Sequence, residues 1–149
     1  MVHLENITAD NLVKLHNSIS SVYPSFTLHM TKMKFDISKK NTYALGIYDG
    51  RNLVGGMTVE NNLDSSFSLD YFIAKPFQKK GYASLAVEKV IEGVQSLNAE
   101  LLIASVDYKN NYSQKVLENN GFRKVDDFLG TLFIYEKEGG IAFSSELNA

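Results

Sequence analysis

The chain of 149 residues contains no cysteine. This absence excludes disulfide bonds, cysteine-ligated metal sites and mechanisms that use a cysteine nucleophile. The histidines give no metal site either, because His3, His16 and His29 lie near the start of the chain without the spacing of metal ligands. We therefore expect no bound metal.

Several features that would assign a function class are also missing. No apolar run is long enough to span a membrane, and no charged-then-apolar leader opens the chain. The formal net charge of -2 disfavours a nucleic-acid-binding module, which normally carries a basic domain or stripe. The glycine-rich nucleotide motifs, the hydrolase nucleophile motif and the zinc-protease motif do not occur. We expect a cytoplasmic protein that binds neither nucleic acid nor membranes.

The composition that is present is that of an ordinary globular protein. Hydrophobic residues make up 44% of the chain and charged residues 21%, and the length suits one domain with its own core. We expect a single domain over residues 1–138, followed by a tail over residues 139–149.

Hydrophobic periodicity predicts the order of helices and strands. Helices are expected over residues 8–22, 28–37, 81–97 and 113–119, with Thr8 as the first N-cap and Asn120-Gly121 closing the last helix. Strands are expected over residues 43–47, 54–59, 67–75, 100–106, 122–125 and 131–137. Asp49-Gly50, between the first two strands, is a strong hairpin signal.

Only the strands around the central helix, 67–75 and 100–106, are joined by a crossover, so only that pair is expected to be parallel. The apolar run "ELLIASV" in the second of them is typical of a strand buried on both faces. The sequence therefore predicts an α/β fold: a mixed, mostly antiparallel sheet with one central parallel strand pair and helices on both faces. Ligands of such sheets usually bind at the carboxyl ends of parallel strands.

The first of two motifs that follow strand ends is "QKKGYA", Gln78 to Ala83. It fits the pattern Q/R-x-x-G-x-G/A at the start of the helix over residues 81–97. Gly81 lets the backbone approach an anion, and the unpaired amides of a helix N-terminus attract phosphate. A basic capped turn is the structural alternative.

The second motif is "NNYSQKVLENNGFRKV", Asn110 to Val125. Together with "LDYFIAKPFQKKGYAS" it makes the chain resemble the GNAT superfamily of acetyl-CoA-dependent N-acetyltransferases, over roughly residues 43–138. The second motif is similar to the branch that acetylates N-terminal residues of ribosomal proteins. "LENITADNLVKL" and "YALGIYDGRNLVGG" instead resemble bacterial polyamine-type acetyltransferases. The two halves of the chain thus point to different acceptors.

The resemblance implies acetyl-CoA as the cosubstrate. The loop amides would hold the pyrophosphate, and the two lysines would add charge near the phosphates. A bulge near Tyr71 to Ile73 would pair with the pantetheine arm and polarise the thioester carbonyl. Asn110 would contact the same arm; a helix N-cap is its structural alternative, and the two roles are compatible. The implied coenzyme-binding residues are Tyr71, Phe72, Ile73, Gln78, Lys79, Lys80, Gly81, Tyr82, Ala83, Ser84, Asn110 and Ser113.

One position departs from the family pattern. Many members carry a tyrosine seven residues after that asparagine, as general acid for the departing thiolate, and here the residue is Leu117. Ser113 is a candidate substitute, and Tyr108 and Tyr112 are nearby phenols. A thiol pKa of about 8.5 also makes the thiolate a fair leaving group without full protonation.

The acceptor amine must also lose a proton. A lysine-like amine of pKa about 10.4 costs about 4.6 kcal/mol at neutral pH, whereas an α-amino group near pKa 8 costs only about 1.4 kcal/mol. The acidic candidates for the general base are Glu60, which ends the second strand, and Asp70, inside the third, and a water chain is the alternative.

We expect an enzyme that moves acetyl directly from acetyl-CoA to a primary amine of a small molecule or of a protein N-terminus. The acidic segment "ENNLDSS" suits a cationic acceptor. A non-catalytic acetyl-CoA sensor or regulatory module is the alternative, and another phosphate ligand at the basic helix start is a further one. The family resemblance also implies a homodimer formed by the late strands.

Overall fold

The protein is seen in a computed structural model that describes residues 1–8, 40–128 and 132–138. Apart from Thr8, the helices expected over residues 8–22 and 28–37 lie outside the described residues, as does the tail over residues 139–149. The strands are β1 (Val2–Asn6), β2 (Thr42–Asp49), β3 (Asn52–Asn61), β4 (Ser66–Ile73), β5 (Leu101–Asp107), β6 (Arg123–Phe128) and β7 (Leu132–Glu138). The helices are a 3-10 turn η1 (Lys75–Phe77), α1 (Tyr82–Gln95) and α2 (Asn111–Asn119).

The seven strands form one sheet in the order β1-β2-β3-β4-β5-β7-β6. β4 and β5 are parallel, in register from Ser66 opposite Leu101 to Leu69 opposite Ala104. The pairs β1–β2, β2–β3, β5–β7 and β6–β7 are antiparallel. The parallel pair is the one that α1 connects, so the predicted mixed, mostly antiparallel α/β sheet is confirmed.

The chain divides into two compact units. The first comprises Met1–Glu60 and Asp70–Ala86, and the second comprises Asn61–Leu69 and Val87–Ala149.

In the first unit, the β2–β3 hairpin follows from its sequence. Gly50 at the tip has φ of +60°, a left-handed conformation that favours glycine, and this confirms the turn at Asp49-Gly50. The register shifts between Ile47 and Tyr48, so that Ile47 lies opposite Gly55 and Tyr48 opposite Leu53. The hairpin therefore contains a bulge in β3, next to its turn.

β1 pairs with β2 and is not predicted from the sequence. Val2 lies opposite Asp49, and Asn6 lies opposite Leu45. Val2 is buried whereas Glu5 and Asn6 are exposed, so the apolar alternation covers too few residues to stand out.

In the second unit, β5 corrects one expectation. Leu102, Ala104 and Val106 are buried, but Ser105 is exposed and Leu101 and Ile103 are only half-buried. The run "ELLIASV" is thus buried on one face and not on both.

The last strands do not follow one another in the sheet in sequence order, because β7 lies between β5 and β6.

Helix α1 has the apolar face that its periodicity predicts. Val87, Val90, Ile91 and Val94 are all buried, at most 8% exposed. Leu97 is an exception: it lies beyond the end of the helix and is 53% exposed.

Helix α2 ends as predicted at Asn120-Gly121. Phe122 N donates to Leu117 O (3.0 Å), and Gly121 N donates to Glu118 O (3.0 Å). Gly121 has φ of +88°, which completes a Schellman cap. The sequence signal Asn-Gly therefore fixes where this helix stops.

Two kinds of feature are absent from the described residues. Among residues 1–8, 40–128 and 132–138, no helix combines the length and the apolar character needed to cross a membrane. The same ranges hold no group of three or more His, Cys, Asp or Glu side chains placed to bind a metal ion.

Candidate active site

A glycine of β3 lies directly against the end of β4, in the first unit. A Cβ on Gly55 would overlap the carbonyl oxygen of Phe72 and would lie 3.1 Å from the Cα of Ile73. Strand glycines commonly mark such close approaches of two backbones. Gly55 thus sets how closely the segment expected to bind pantetheine packs on β3.

The backbone of Ile73 faces away from β3. The amide of Ala74 donates to the carbonyl of Val54 over 2.8 Å, so Ala74 faces β3. Successive residues of a strand turn their backbone groups to opposite sides, which directs those of Ile73 the other way. The bulge expected near Tyr71 to Ile73 stays a prediction, since the register of β4 with β5 ends at Leu69.

The side chain of Gln78 anchors the start of the loop between β4 and α1. Its Nε2 donates to the carbonyl oxygen of Ile73 over 2.9 Å. Gln78 itself is extended, with φ of -70° and ψ of 156°. The glutamine of the motif therefore fixes the loop to the last residue of β4.

The loop then turns twice into left-handed backbone. The φ angle is +63° at Lys79 and +87° at Gly81. Left-handed residues turn neighbouring amides toward one side, as in the backbone nests that bind anions. Among the residues that the structure describes, nothing lies within 4 Å of a Cβ built on Gly81, so this side of the loop is open.

The loop leads directly into the N-terminus of α1. At the start of the helix, Leu85 N donates to Gly81 O over 3.2 Å. The amides of Tyr82 and Ala83 precede this bond and lie at the positive end of the helix dipole. Ala83 is buried, at 1% exposure, so it belongs to the core of the unit as well as to the motif.

Tyr82, the first residue of α1, is held on two sides. Its hydroxyl donates to Oδ2 of Asp49 over 2.7 Å. Its ring meets the ring of Phe77 edge-on, with centroids 6.4 Å apart and planes at 70°. Phe77 precedes the loop and Tyr82 follows it, so the ring contact closes the base of the loop.

Asp49 is charged at neutral pH and accepts two hydrogen bonds. Oδ1 lies 2.9 Å from the amino group of Met1, and Oδ2 accepts from Tyr82. The bond from Tyr82, followed by that from Met1, holds the pKa of Asp49 below its ordinary value. The same bond raises the pKa of the Tyr82 phenol. The phenol is therefore the neutral donor and the carboxylate the charged acceptor.

The two acidic candidates for the general base also lie in the first unit. Glu60 is near the end of β3 and Asp70 is within β4, and both are exposed. Neither position identifies a base, and a base role for either residue stays a prediction.

In the second unit, Asn110 is the N-cap of α2. Its Oδ1 accepts from the amide of Ser113 over 3.0 Å, which confirms the structural alternative given for this residue. Ser113 is 8% exposed. The two residues thus form one local structure in the second unit. The β4–α1 loop belongs to the first unit.

A comparison with protein-family models gives a match over most of the chain. Residues 4–123 match the model described as acetyltransferase (GNAT) domain. The chain belongs to the GNAT acetyltransferase family. The resemblance of the two sequence motifs to GNAT proteins is therefore confirmed.

Solved structures show the same fold. A spermidine N-acetyltransferase from Vibrio cholerae, in complex with CoA and spermine, has a TM-score of 0.72 at 18% identity and covers 93% of this chain and 95% of its own. The ribosomal-protein-S18-alanine N-acetyltransferase from Escherichia coli has 0.75 at 11%, covering 95% and 96%. An acetyltransferase from Thermus thermophilus has 0.75 at 20%, covering 93% and 97%. A sequence search among curated proteins gives no significant match.

Leu117 occupies the position where the GNAT pattern often has a tyrosine. Leu117 is fully buried, at 0% exposure, so its position in α2 is a core position. The neighbouring phenols are on the surface, with Tyr108 43% and Tyr112 38% exposed. The general acid therefore stays unassigned in this GNAT chain.

The structure adds three residues that the motifs do not reveal. Asp49 contacts Tyr82 from 33 positions away, and no local pattern signals such a pair. Gly55 had a signal, because a glycine pair inside a strand indicates a bulge or a close backbone approach. Tyr135 is a buried phenol in β7 whose hydroxyl lies 3.2 Å from Oε2 of Glu118 and 3.5 Å from Oε1 of Gln114. Burial, followed by the charge of Glu118, raises the pKa of Tyr135 above that of an ordinary tyrosine.

Proposed function

We propose that this GNAT chain transfers acetyl from acetyl-CoA directly to a primary amine, which belongs to a small molecule or to a protein N-terminus. The observation that carries the proposal is the loop before α1, with left-handed backbone at Lys79 and Gly81 beside open space. The acetyltransferase domain would occupy residues 1–138, followed by a tail over residues 139–149.

The loop fits a pyrophosphate for two physical reasons. Left-handed residues such as Lys79 and Gly81 occur in the backbone nests that bind anions, and the N-terminus of α1 adds the amides of Tyr82 and Ala83 and a positive dipole. Lys79 and Lys80 are exposed and bring positive charge to the same segment. Residues 78–84 would hold the diphosphate of acetyl-CoA by their backbone, with the lysines as additional charge.

The end of β4 supplies backbone groups for the pantetheine arm. Those of Ile73 face away from β3, where an extended amide chain can add like a strand. Gln78 and Gly55 fix this segment from two sides. A backbone amide of Tyr71 to Ile73 would polarise the thioester carbonyl, as donors do at other acyl-transfer sites.

The reaction needs no covalent enzyme intermediate. The amine nitrogen attacks the carbonyl carbon of the thioester, the C–S bond breaks, and coenzyme A leaves as the thiolate. The amine loses one proton, to a carboxylate or to water. The chain contains no cysteine, so an acyl-enzyme through sulfur is excluded and a ternary complex is favoured.

One observation favours a second function, a non-catalytic acetyl-CoA sensor. Leu117 is a fully buried apolar residue at the position where many GNAT enzymes carry a catalytic tyrosine. A sensor would keep the loop of residues 78–84 and would lose the proton-transfer groups. It would therefore bind CoA as tightly as an enzyme does, without turnover.

Thiol release from acetyl-CoA, measured with a panel of amines, separates the two functions. The panel contains spermidine, lysine, aminoglycosides and short peptides with free N-termini. Calorimetry with CoA runs in parallel on the same protein. Turnover with one acceptor class supports the enzyme and names its substrate, whereas tight CoA binding without turnover supports the sensor. Absence of CoA binding contradicts both.

Sedimentation of the same preparation tests the homodimer that the family resemblance implies. A species of twice the mass of the chain supports the dimer. A monomer at the concentrations used for catalysis contradicts it.

A further inference from the structure

We infer that Asp49 is a positioning residue for the coenzyme loop and acts through the hydroxyl of Tyr82. The inference rests on the proposed function, since it assigns the loop to the diphosphate of acetyl-CoA. It extends the site to a side chain outside both GNAT motifs of this chain. Asp49 ends β2, next to the hairpin turn, and Tyr82 is the first residue of α1.

The contact between Asp49 and Tyr82 restrains the first residue of α1. The hydroxyl of Tyr82 donates to Oδ2 of Asp49 over 2.7 Å, a charge-assisted hydrogen bond. The ring of Tyr82 also meets Phe77, so the first residue of α1 is restrained both at its ring and at its hydroxyl. The amides proposed to bind the diphosphate lie immediately before and after Tyr82 in the chain, so the placement of Tyr82 constrains theirs.

The loop is held at its two ends. At its start, the side chain of Gln78 donates to the carbonyl of Ile73. Between the ends, Lys79 and Lys80 are exposed, and the space beside Gly81 is open. The far end is held by Tyr82, and the hairpin that carries Asp49 provides the fixed point.

Pre-organisation of this kind acts on coenzyme affinity and not on the chemical step. A loop already in its binding conformation loses less conformational freedom when the ligand arrives. Asp49 does not need to touch the coenzyme for this effect. We expect loss of the contact to raise the Kd for CoA and the KM for acetyl-CoA, and to leave kcat unchanged.

A double-mutant cycle tests the inference. The variants are Tyr82→Phe, which keeps the ring and its contact with Phe77, Asp49→Ala, and the two together. Each single variant is expected to raise the Kd for CoA about three- to ten-fold, and the double variant no further. Asp49→Asn keeps an oxygen acceptor without the charge and is expected to stay within about two-fold of wild type.

Matched controls keep the result interpretable. Tyr43→Phe removes the hydroxyl of a tyrosine that is 47% exposed in β2, and it is expected to bind CoA as wild type does. Far-UV circular dichroism and the unfolding midpoint confirm that each variant is folded. Hydrogen exchange of the amides of residues 79–84, measured without ligand, should be faster in Tyr82→Phe than in wild type.

The outcomes are distinct. If the wild-type protein binds CoA and both Tyr82→Phe and Asp49→Ala bind it as tightly as wild type, the positioning role is overturned and the proposed function stays intact. Single-variant losses that add in the double variant also overturn it, because the two side chains would then act separately. Wild-type protein that does not bind CoA overturns the proposed function and this inference with it.

Discussion

The backbone of Gly55 in β3 packs so closely on Phe72 in β4 that a side chain at this position would overlap the Phe72 carbonyl oxygen. The backbone groups of the neighbouring Ile73 face away from β3, and its carbonyl oxygen accepts a hydrogen bond from the side-chain amide of Gln78. One glycine thus determines the placement of the strand end from which the proposed coenzyme loop departs. Its substitution gives the first test of this site.

Gly55→Ala is expected to lower the free energy of unfolding by about 1–3 kcal/mol, because two backbones must separate to admit the methyl group. The same displacement moves Ile73, so CoA affinity should fall as well. Urea unfolding and calorimetry measure the two effects. Gly93→Ala is the control: Gly93 is exposed in α1, nothing described lies within 4 Å of an added Cβ, and a gain of about 0.5–1 kcal/mol is expected. Equal stabilities of the two variants would contradict the close packing.

Gly81→Ala tests the conformation of the loop and not its packing. The new Cβ meets no neighbour in the described structure, but φ of +87° is unfavourable for any L-residue with a side chain. A stability loss of about 1–2 kcal/mol is therefore expected, together with weaker CoA binding. Chemical denaturation and CoA titration provide the readouts. Unchanged CoA affinity in a folded variant would show that the left-handed glycine does not shape the binding loop.

Asn110 caps α2, and substitution can separate this role from its proposed contact with the pantetheine arm. Asn110→Ala removes the acceptor for the amide of Ser113 and should cost about 1 kcal/mol of stability. Asn110→Asp keeps the cap and should keep the stability, because aspartate caps helices about as well as asparagine. If the side-chain amide also contacts the pantetheine arm, Asn110→Asp should nevertheless bind CoA more weakly. Wild-type CoA affinity in this variant would leave the residue with the capping role alone.

Asp64, in the turn between β3 and β4, is expected to make the stability of the protein depend on pH. The hydroxyl of Ser66 donates to Oδ1 of Asp64 over 2.6 Å, and this bond, followed by the backbone bond of Ser66, lowers the pKa of Asp64. A lowered folded-state pKa stabilises the protein above the unfolded-state pKa of about 3.9, and the contribution is lost as pH falls through the folded-state pKa. The stability difference between wild type and Ser66→Ala should therefore shrink as the pH is lowered through that range.

Urea unfolding at a series of pH values between neutral and acid measures this difference. Ser96→Ala is the matched control, since the hydroxyl of Ser96 donates to the uncharged carbonyl of Gly93. Its stability difference from wild type should not change with pH. A pH-independent difference for Ser66→Ala as well would mean that the hydroxyl has no preference for the charged carboxylate.

The parts of the fold that the sequence predicts correctly are those with local signals. Asp49-Gly50 marks the hairpin and Asn120-Gly121 the end of α2, because both need backbone that glycine adopts readily. The parallel pair follows from the crossover through α1. β1 lacks such a signal, since five residues with one buried side chain give no clear alternation.

The site divides in the same way. The pattern of residues 78–84 is visible in the sequence because it is contiguous and contains a glycine, which the structure shows in a left-handed conformation, and its coenzyme-binding role stays a prediction. The pair Asp49–Tyr82 and the contact of Gly55 with Phe72 depend on which strands and helices become neighbours, and periodicity does not encode that. The sequence also does not show that only one face of β5, with Leu102, Ala104 and Val106, is buried. A continuous apolar run gives no sign of which face of the strand packs against the core.

The central claim is that this chain transfers acetyl from acetyl-CoA to an amine nitrogen. The most direct measurement follows acetyl-CoA labelled in the acetyl group, with mass spectrometry of the amine after incubation with the purified chain. The account predicts labelled acetyl on the nitrogen of one acceptor class, with release of one free CoA per acetyl transferred and a slower rate in Gly81→Ala. Protein that binds CoA but labels no amine in the panel, and releases thiol only at the uncatalysed rate, would contradict it.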